Sequence, residues 1–136
     1  MSYAMAGSLQ MAIYQRLTAD SVLSSLVGSA IFDVVPAGDV PGTYVSLGPE
    51  DARTRSDQTG RAAEHRFTVS VVTAEAGFQT AKDAAAAISD ALVDAPLSLA
   101  RGRLVGLRFL RARARRVQAG DVRRIDLSFA ALLDDD

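Results

Sequence analysis

The chain has 136 residues, 49% apolar and 23% charged, with a net charge of −1; this is enough to build one compact domain with its own core and is not the composition of a disordered chain. It contains no cysteine, which excludes a disulfide framework, thiol catalysis and thiolate metal sites, and so small a net charge gives no global field to draw it onto nucleic acid. No apolar run approaches the roughly 20 residues needed to span a bilayer, and the opening seven residues lack the basic and apolar stretches of a secretory leader, so a cytoplasmic product is expected.

The first helix is expected to start at Ser8, whose side-chain oxygen can cap a first-turn N–H, and to present Leu9, Ala12, Ile13 and Leu17 on one face. Asp20 reads as a second N-cap, opening a short helix through Leu23, Leu26 and Val27 that Gly28 ends. This second helix carries no basic residue, so the pair does not read as a DNA-reading motif. A short strand is expected over Ile31–Val35, then a turn at Pro36-Ala-Gly-Asp, then a strand over Thr43–Gly48 with Val45 and Leu47 on one side. From Pro49 to about Ala63 the chain has mixed charge and no aliphatic period, which reads as an extended loop of unusual length.

Glu64–Ala74 alternates Phe67, Val69 and Val71 with Arg66, Thr68 and Ser70, the pattern of a half-buried antiparallel strand. Thr80–Val93 follows as a helix with an alanine-rich apolar stripe that allows close approach to a sheet, and Pro96 marks its end. A hairpin completes the chain. Val105, Leu107 and Phe109 share a face, after which the apolar phase slips by one residue to Leu110, Ala112 and Ala114, predicting a bulge near Phe109-Leu110. The turn centres on Gln118–Asp121. The return strand directs Ile125, Leu127, Phe129 and Ala131 inward, and Asp134–Asp136 reads as a solvated tail. The order α, α, β, β, loop, β, α, β, β predicts a single α+β domain over 1–136, with an extended loop at about 49–63 and an antiparallel or mixed sheet whose one face is packed by two main helices.

Catalytic and ligand-binding signatures are scarce. His65, the one histidine, reads as a surface or strand-edge residue without triad partners. Asp51 and Asp57 lack the pattern of a calcium loop, and no Walker-type or dinucleotide fingerprint occurs. No cofactor and no metal are expected. The basic residues are arginine except for Lys82. Arg111, Arg113 and Arg115 fall on one side of a strand about 7 Å apart, a solvated face paired with Asp126 and other acids, a protein interface or a phosphate-contacting row. No aromatic platform is interleaved with them to stack bases.

Leu9-Gln-x-Ala12-Ile13-Tyr14-x-x-Leu17-Thr18-Ala19-Asp20, Ile31-Phe-Asp-Val-Val-Pro, Tyr44-Val45, Asp94-Ala-Pro-Leu-Ser-Leu and Gly102-Arg-Leu-Val-x-Leu-Arg-Phe together resemble the tail-completion, or tail-terminator, proteins of phages and phage-like particles. The likeness runs over nearly the whole chain, and its arginine-rich form resembles that of a prophage or gene transfer agent. The resemblance implies a non-enzymatic virion protein that forms a ring, usually a hexamer, on the last ring of the tail tube. It implies that the ring stops tube growth and offers a surface to the head connector while DNA passes without sequence-specific binding. Its implied partners are copies of itself, the tail-tube protein and the head connector or stopper, with no membrane, and its place is the head–tail junction after assembly in the cytoplasm. On that reading Arg53, Arg55, Asp57 and Arg61 in the loop contact the tube or a neighbouring copy, and Arg111, Arg113 and Arg115 serve a ring interface or channel wall. Another connector or stopper role is the alternative, followed by a small cytosolic α+β enzyme or ligand-binding domain, which predicts a concave pocket with convergent polar groups.

Overall fold

The computed structural model describes residues 3–33, 35, 42–54, 62–117 and 121–135. In chain order the elements are α1 (Ala6–Ala19), α2 (Ser21–Val27), β1 (Ile31–Phe32), β2 (Thr43–Thr54), β3 (Ala62–Thr73), α3 (Gln79–Leu92), β4 (Arg103–Val117) and β5 (Val122–Asp134). The five strands form one sheet in the order β1-β2-β3-β5-β4. It is mixed, because β1 runs parallel to β2 while every other pair is antiparallel. The α+β class and the single domain are as the sequence predicts.

Register sorts the residues onto two faces, since opposed residues point to the same side. One row runs Glu50–Phe67–Phe129–Phe109 across β2, β3, β5 and β4. Rows beside it carry Leu47, Val69, Leu127 and Val45, Val71, Ile125. The helices cover this side, α1 through Leu9, Ala12, Ile13 and Leu17 and α3 through Ala81, Ala84, Ala85, Ile88 and Leu92. Alanine on α3 lets its backbone come close to the sheet while Ile88 and Leu92 fill the remaining depth. Asp20 caps α2 by accepting a bond from the Leu23 N–H at 2.9 Å, and Gly28 ends that helix with φ +61°.

Several expected boundaries move. The segment expected as a loop over 49–63 is strand at both ends, with Pro49–Thr54 in β2 and Ala62–Ala63 in β3. The missing aliphatic period has a physical source: an irregularity between Leu47 and Glu50 shifts the pairing, placing Pro49 where a ladder N–H is not needed. Gly48 fits there because a Cβ would stand 3.3 Å from the Thr68 carbonyl oxygen. α1 begins at Ala6 rather than at Ser8 and has no side-chain cap; buried Met5 anchors its start. β1 is shorter than expected, ending at Phe32. The turn residues Gln118–Gly120, the turn at 36–39 and Asp136 lie outside the described residues. Asp134 and Asp135 are not a free tail, for Arg103 pairs with Asp134 at 3.1 Å and Arg101 with Asp135 at 2.9 Å.

The predicted phase slip in β4 is present as a register shift between Phe109 and Arg111. A second shift between Leu104 and Gly106 pushes Val105 out of the inward set expected for it, leaving it half-exposed. Just before β4, Gly102 holds φ +81°, and a Cβ there would overlap the Met5 Sδ and stand 3.1 Å from the Asp134 carbonyl oxygen. Gly102→Ala is expected to lower stability by about 1–2 kcal/mol, because a left-handed backbone is disfavoured for any residue with a Cβ and Met5 must also yield. Urea denaturation checks this; an unchanged midpoint would contradict it.

Candidate functional site

The face of the sheet away from the helices is rich in arginine and acid, set among small polar and apolar residues. Arg111, Arg113 and Arg115 on β4 oppose Ser128, Asp126 and Arg124 on β5, which in turn oppose Thr68, Ser70 and Val72 on β3. Asp126 is the hub. It accepts bonds from Ser70 Oγ at 2.6 Å, Arg124 Nε at 2.8 Å and Arg115 at 3.3 Å. Further along, Glu64 is buried on the same face and bonded by Arg66 at 2.7 Å, with Arg108 at 3.8 Å. Arginine stems and these bonds close over the central strand, so Glu64, Ser70 and Val72 are buried where a half-exposed strand was expected. The three strand arginines are therefore not equivalent: Arg115 is paired, whereas among the described residues Arg111 and Arg113 have no acidic partner.

Burial acts to raise the Asp126 pKa, but the bond from Ser70, the bond and charge of Arg124 and the bond from Arg115 outweigh it and hold the carboxyl below its usual range. A carboxyl whose folded pKa lies below its unfolded value of about 3.9 contributes stability that is fully present above that value. The contribution is lost as pH falls through the folded pKa. Asp126→Asn is therefore expected to lower the denaturation midpoint at neutral pH and to flatten its fall below about pH 4. Parallel acid-limb curves for the variant and the native chain would contradict this.

Arg53 stands on β2, at the far side of the sheet from β4. Its pair with Asp51 is 4.0 Å long and solvent-exposed, a contact of little energy. Arg55, Asp57 and Arg61 lie outside the described residues. The fold thus separates Arg53 from Arg111, Arg113 and Arg115 and puts β3 and β5 between them.

On the helix side, the expectation of a surface His65 is overturned. His65 is 0% exposed and shares a 2.7 Å hydrogen bond between its Nδ1 and Glu50 Oε2. Tyr3 stacks over its ring with centroids 6.1 Å apart, and the Tyr3 hydroxyl donates to the other Glu50 oxygen. His65 Nε2 is buried with no hydrogen-bond partner among the described residues. The signal for this burial was in the sequence, since His65 is in phase with the inward Phe67, Val69 and Val71. Glu50 escaped notice because the Gly48-Pro49 irregularity resets its phase.

Tyr3 and Glu50 also line an open groove of about 640 Å³ between α1 and β1–β2, together with Gln10, Met11, Tyr14 and Phe32. Several of its polar groups pair with one another: Gln10 donates to Asp33 at 2.7 Å, and Glu50 is engaged by Tyr3 and His65. Among the described residues no cluster of metal-ligating side chains occurs, and no helix is long and apolar enough to cross a membrane. An arginine-rich face and an amphipathic groove are features of a domain shaped for contact with other proteins.

Comparisons with known proteins agree with that class. The chain matches the family described as tail completion protein gp17 over residues 11–134, and it belongs to that family of structural tail proteins. It is similar, at 63% identity and a TM-score of 0.92, to a chain in the virion of a native gene transfer agent particle, covering 98% of this chain and 99% of that one. A search of curated proteins finds no match.

Proposed function

We propose that this chain is the tail-completion protein of a gene-transfer-agent-like particle, forming a ring on the end of the tail tube that stops tube growth and presents the head-joining surface. The observation that carries the reading is the 63% identity, over nearly the full length of both chains, to a chain within such a particle. The fold is compatible with a ring. A cyclic assembly needs two different complementary patches on each copy, and here arginine is concentrated on the β4 side while the groove and Glu50–Asp51 lie on the β2 side. The role is non-enzymatic on this reading, and the groove is a protein contact.

Imaging particles from a deletion of the gene tests the proposal. Overlong tails without heads are the expected result. Tails of normal length beside filled heads would move the role to the connector, and normal particles would end the morphogenesis reading. Arg53, Arg55, Asp57 and Arg61 are assigned to contacts with the tube or a neighbouring copy, and Arg111, Arg113 and Arg115 to a ring interface or the channel wall. Replacing Arg53, Arg55 and Arg61 together with serine is expected to leave the melting temperature unchanged and to lower the yield of joined particles severalfold. A normal yield would remove the assignment.

A further inference from the structure

Two lengths of sheet edge lack a neighbouring strand among the described residues. β1 covers the outer side of β2 only at Val45 and Ser46, leaving Leu47–Thr54 bare, and β4 is the outermost strand, engaged outside the sheet at Leu107, whose carbonyl oxygen accepts from the Asp94 N–H at 3.1 Å. Long bare edges invite pairing and are managed in native proteins by charge and bulges; β4 has both, with its arginines and two register shifts. The two edges are also complementary face by face. On the helix side, β4 presents Phe109, 44% exposed, and the β2 edge presents the groove lined by Tyr3, Met11, Tyr14, Phe32 and Glu50. On the open side, β4 presents Arg111 without an acidic partner, and β2 presents Asp51 with its side chain 73% exposed.

We propose that a second copy of this chain docks its β4 edge against the bare Leu47–Thr54 edge of β2, with Phe109 entering the groove and Arg108 and Arg111 meeting Asp51. This rests on the ring reading and names the two patches it requires. Sense and level both fit. β4 runs opposite to β2, and rotation about an axis near the strand direction preserves that, so the junction is antiparallel. Glu50 and Phe109 lie in one row across the sheet, Asp51 and Arg108 in the next, and Leu47 is level with Ala112. The stretch of β4 level with the bare edge is therefore Leu104–Ala112, of which Leu107 already bonds the Asp94 N–H, leaving Arg108–Ala112 for the junction. Above it β1 occupies the outer side, which leaves Arg113 and Arg115 outside the junction. The bulges interrupt a continuous ladder, so side chains specify the contact.

The test is a charge exchange between two exposed positions whose change leaves the core intact. Asp51→Arg and Arg111→Asp are each expected to lower the yield of joined particles about tenfold, the equivalent of about 1.4 kcal/mol per junction, at an unchanged melting temperature. The chain carrying both substitutions is expected to recover most of the yield, because the pair is re-formed with its signs exchanged. Single substitutions without effect, or a double variant no better than the singles, would overturn the edge-to-edge contact. Electron cryomicroscopy of native particles, which counts the copies of the chain at the tail end, separates this from failure of the ring itself. A ring of copies there together with a failed exchange would remove only these patches, and no ring of copies would remove the ring and the contact together.

Discussion

Phe129→Ala is expected to destabilise the domain by about 3–5 kcal/mol, the range found when a buried aromatic is truncated and the cavity cannot close. Phe129 is 0% exposed and sits on β5 between β3 and β4. Its ring stacks on Phe67 at 5.5 Å and meets Phe109 edge-on at 5.9 Å. The three rings form one row across three strands, so removing the middle one strips contacts from both neighbours. Such a loss is a large fraction of the 5–15 kcal/mol that holds a typical domain folded. Urea denaturation should show the midpoint falling sharply with the slope unchanged. Phe129→Leu should lose less, since most of the volume stays. An alanine variant within about 1 kcal/mol of the native chain would mean that the row can collapse on itself.

The inward positions of β5 were legible because Ile125, Leu127, Phe129 and Ala131 alternate without interruption along a strand paired on both sides. Asp20 and Gly28 were legible because capping chemistry is local. The bulge after Phe109 was legible because an extra residue inverts every later side chain. The same mechanism hid β2, where Gly48-Pro49 inserts a residue just as the pattern passes from aliphatic to charged, so that Pro49–Thr54 resembles a loop. The arginine row was visible as a row, but its energetics were not. Whether Arg115 finds Asp126 while Arg111 does not depends on long-range register between β4 and β5, which no local pattern records. The groove was hidden for a like reason, since it joins residues of α1 to residues of β1 and β2.

Glu50→Ala is expected to cost about 1–3 kcal/mol, the penalty for leaving a buried polar atom without a partner. The carboxylate is the partner of His65 Nδ1, and His65 Nε2 has no partner among the described residues, so the variant would bury an imidazole that no described residue satisfies at either nitrogen. His65→Leu should be milder, because the partly exposed Glu50 can turn to solvent. The decisive result is the combination: Glu50→Leu with His65→Leu is expected to lie closer to the native chain than Glu50→Ala alone, since removing both polar partners also removes the unsatisfied group. Tyr3 supplies an independent readout. The hydrogen bond to Glu50, then its negative charge, then burial raise the Tyr3 phenol above its ordinary value of 10.0. Neutralising Glu50 should bring that titration down, visible as ultraviolet absorbance of tyrosinate appearing at lower pH. If the Tyr3 titration moves but stability does not, Glu50 would serve to hold Tyr3 over the groove and not to satisfy the core. If stability falls and the titration stays, the reverse would hold. Movement of both is the expected outcome, because one carboxylate bridges the buried histidine to the wall of the groove, and core and contact surface are then set by the same side chain.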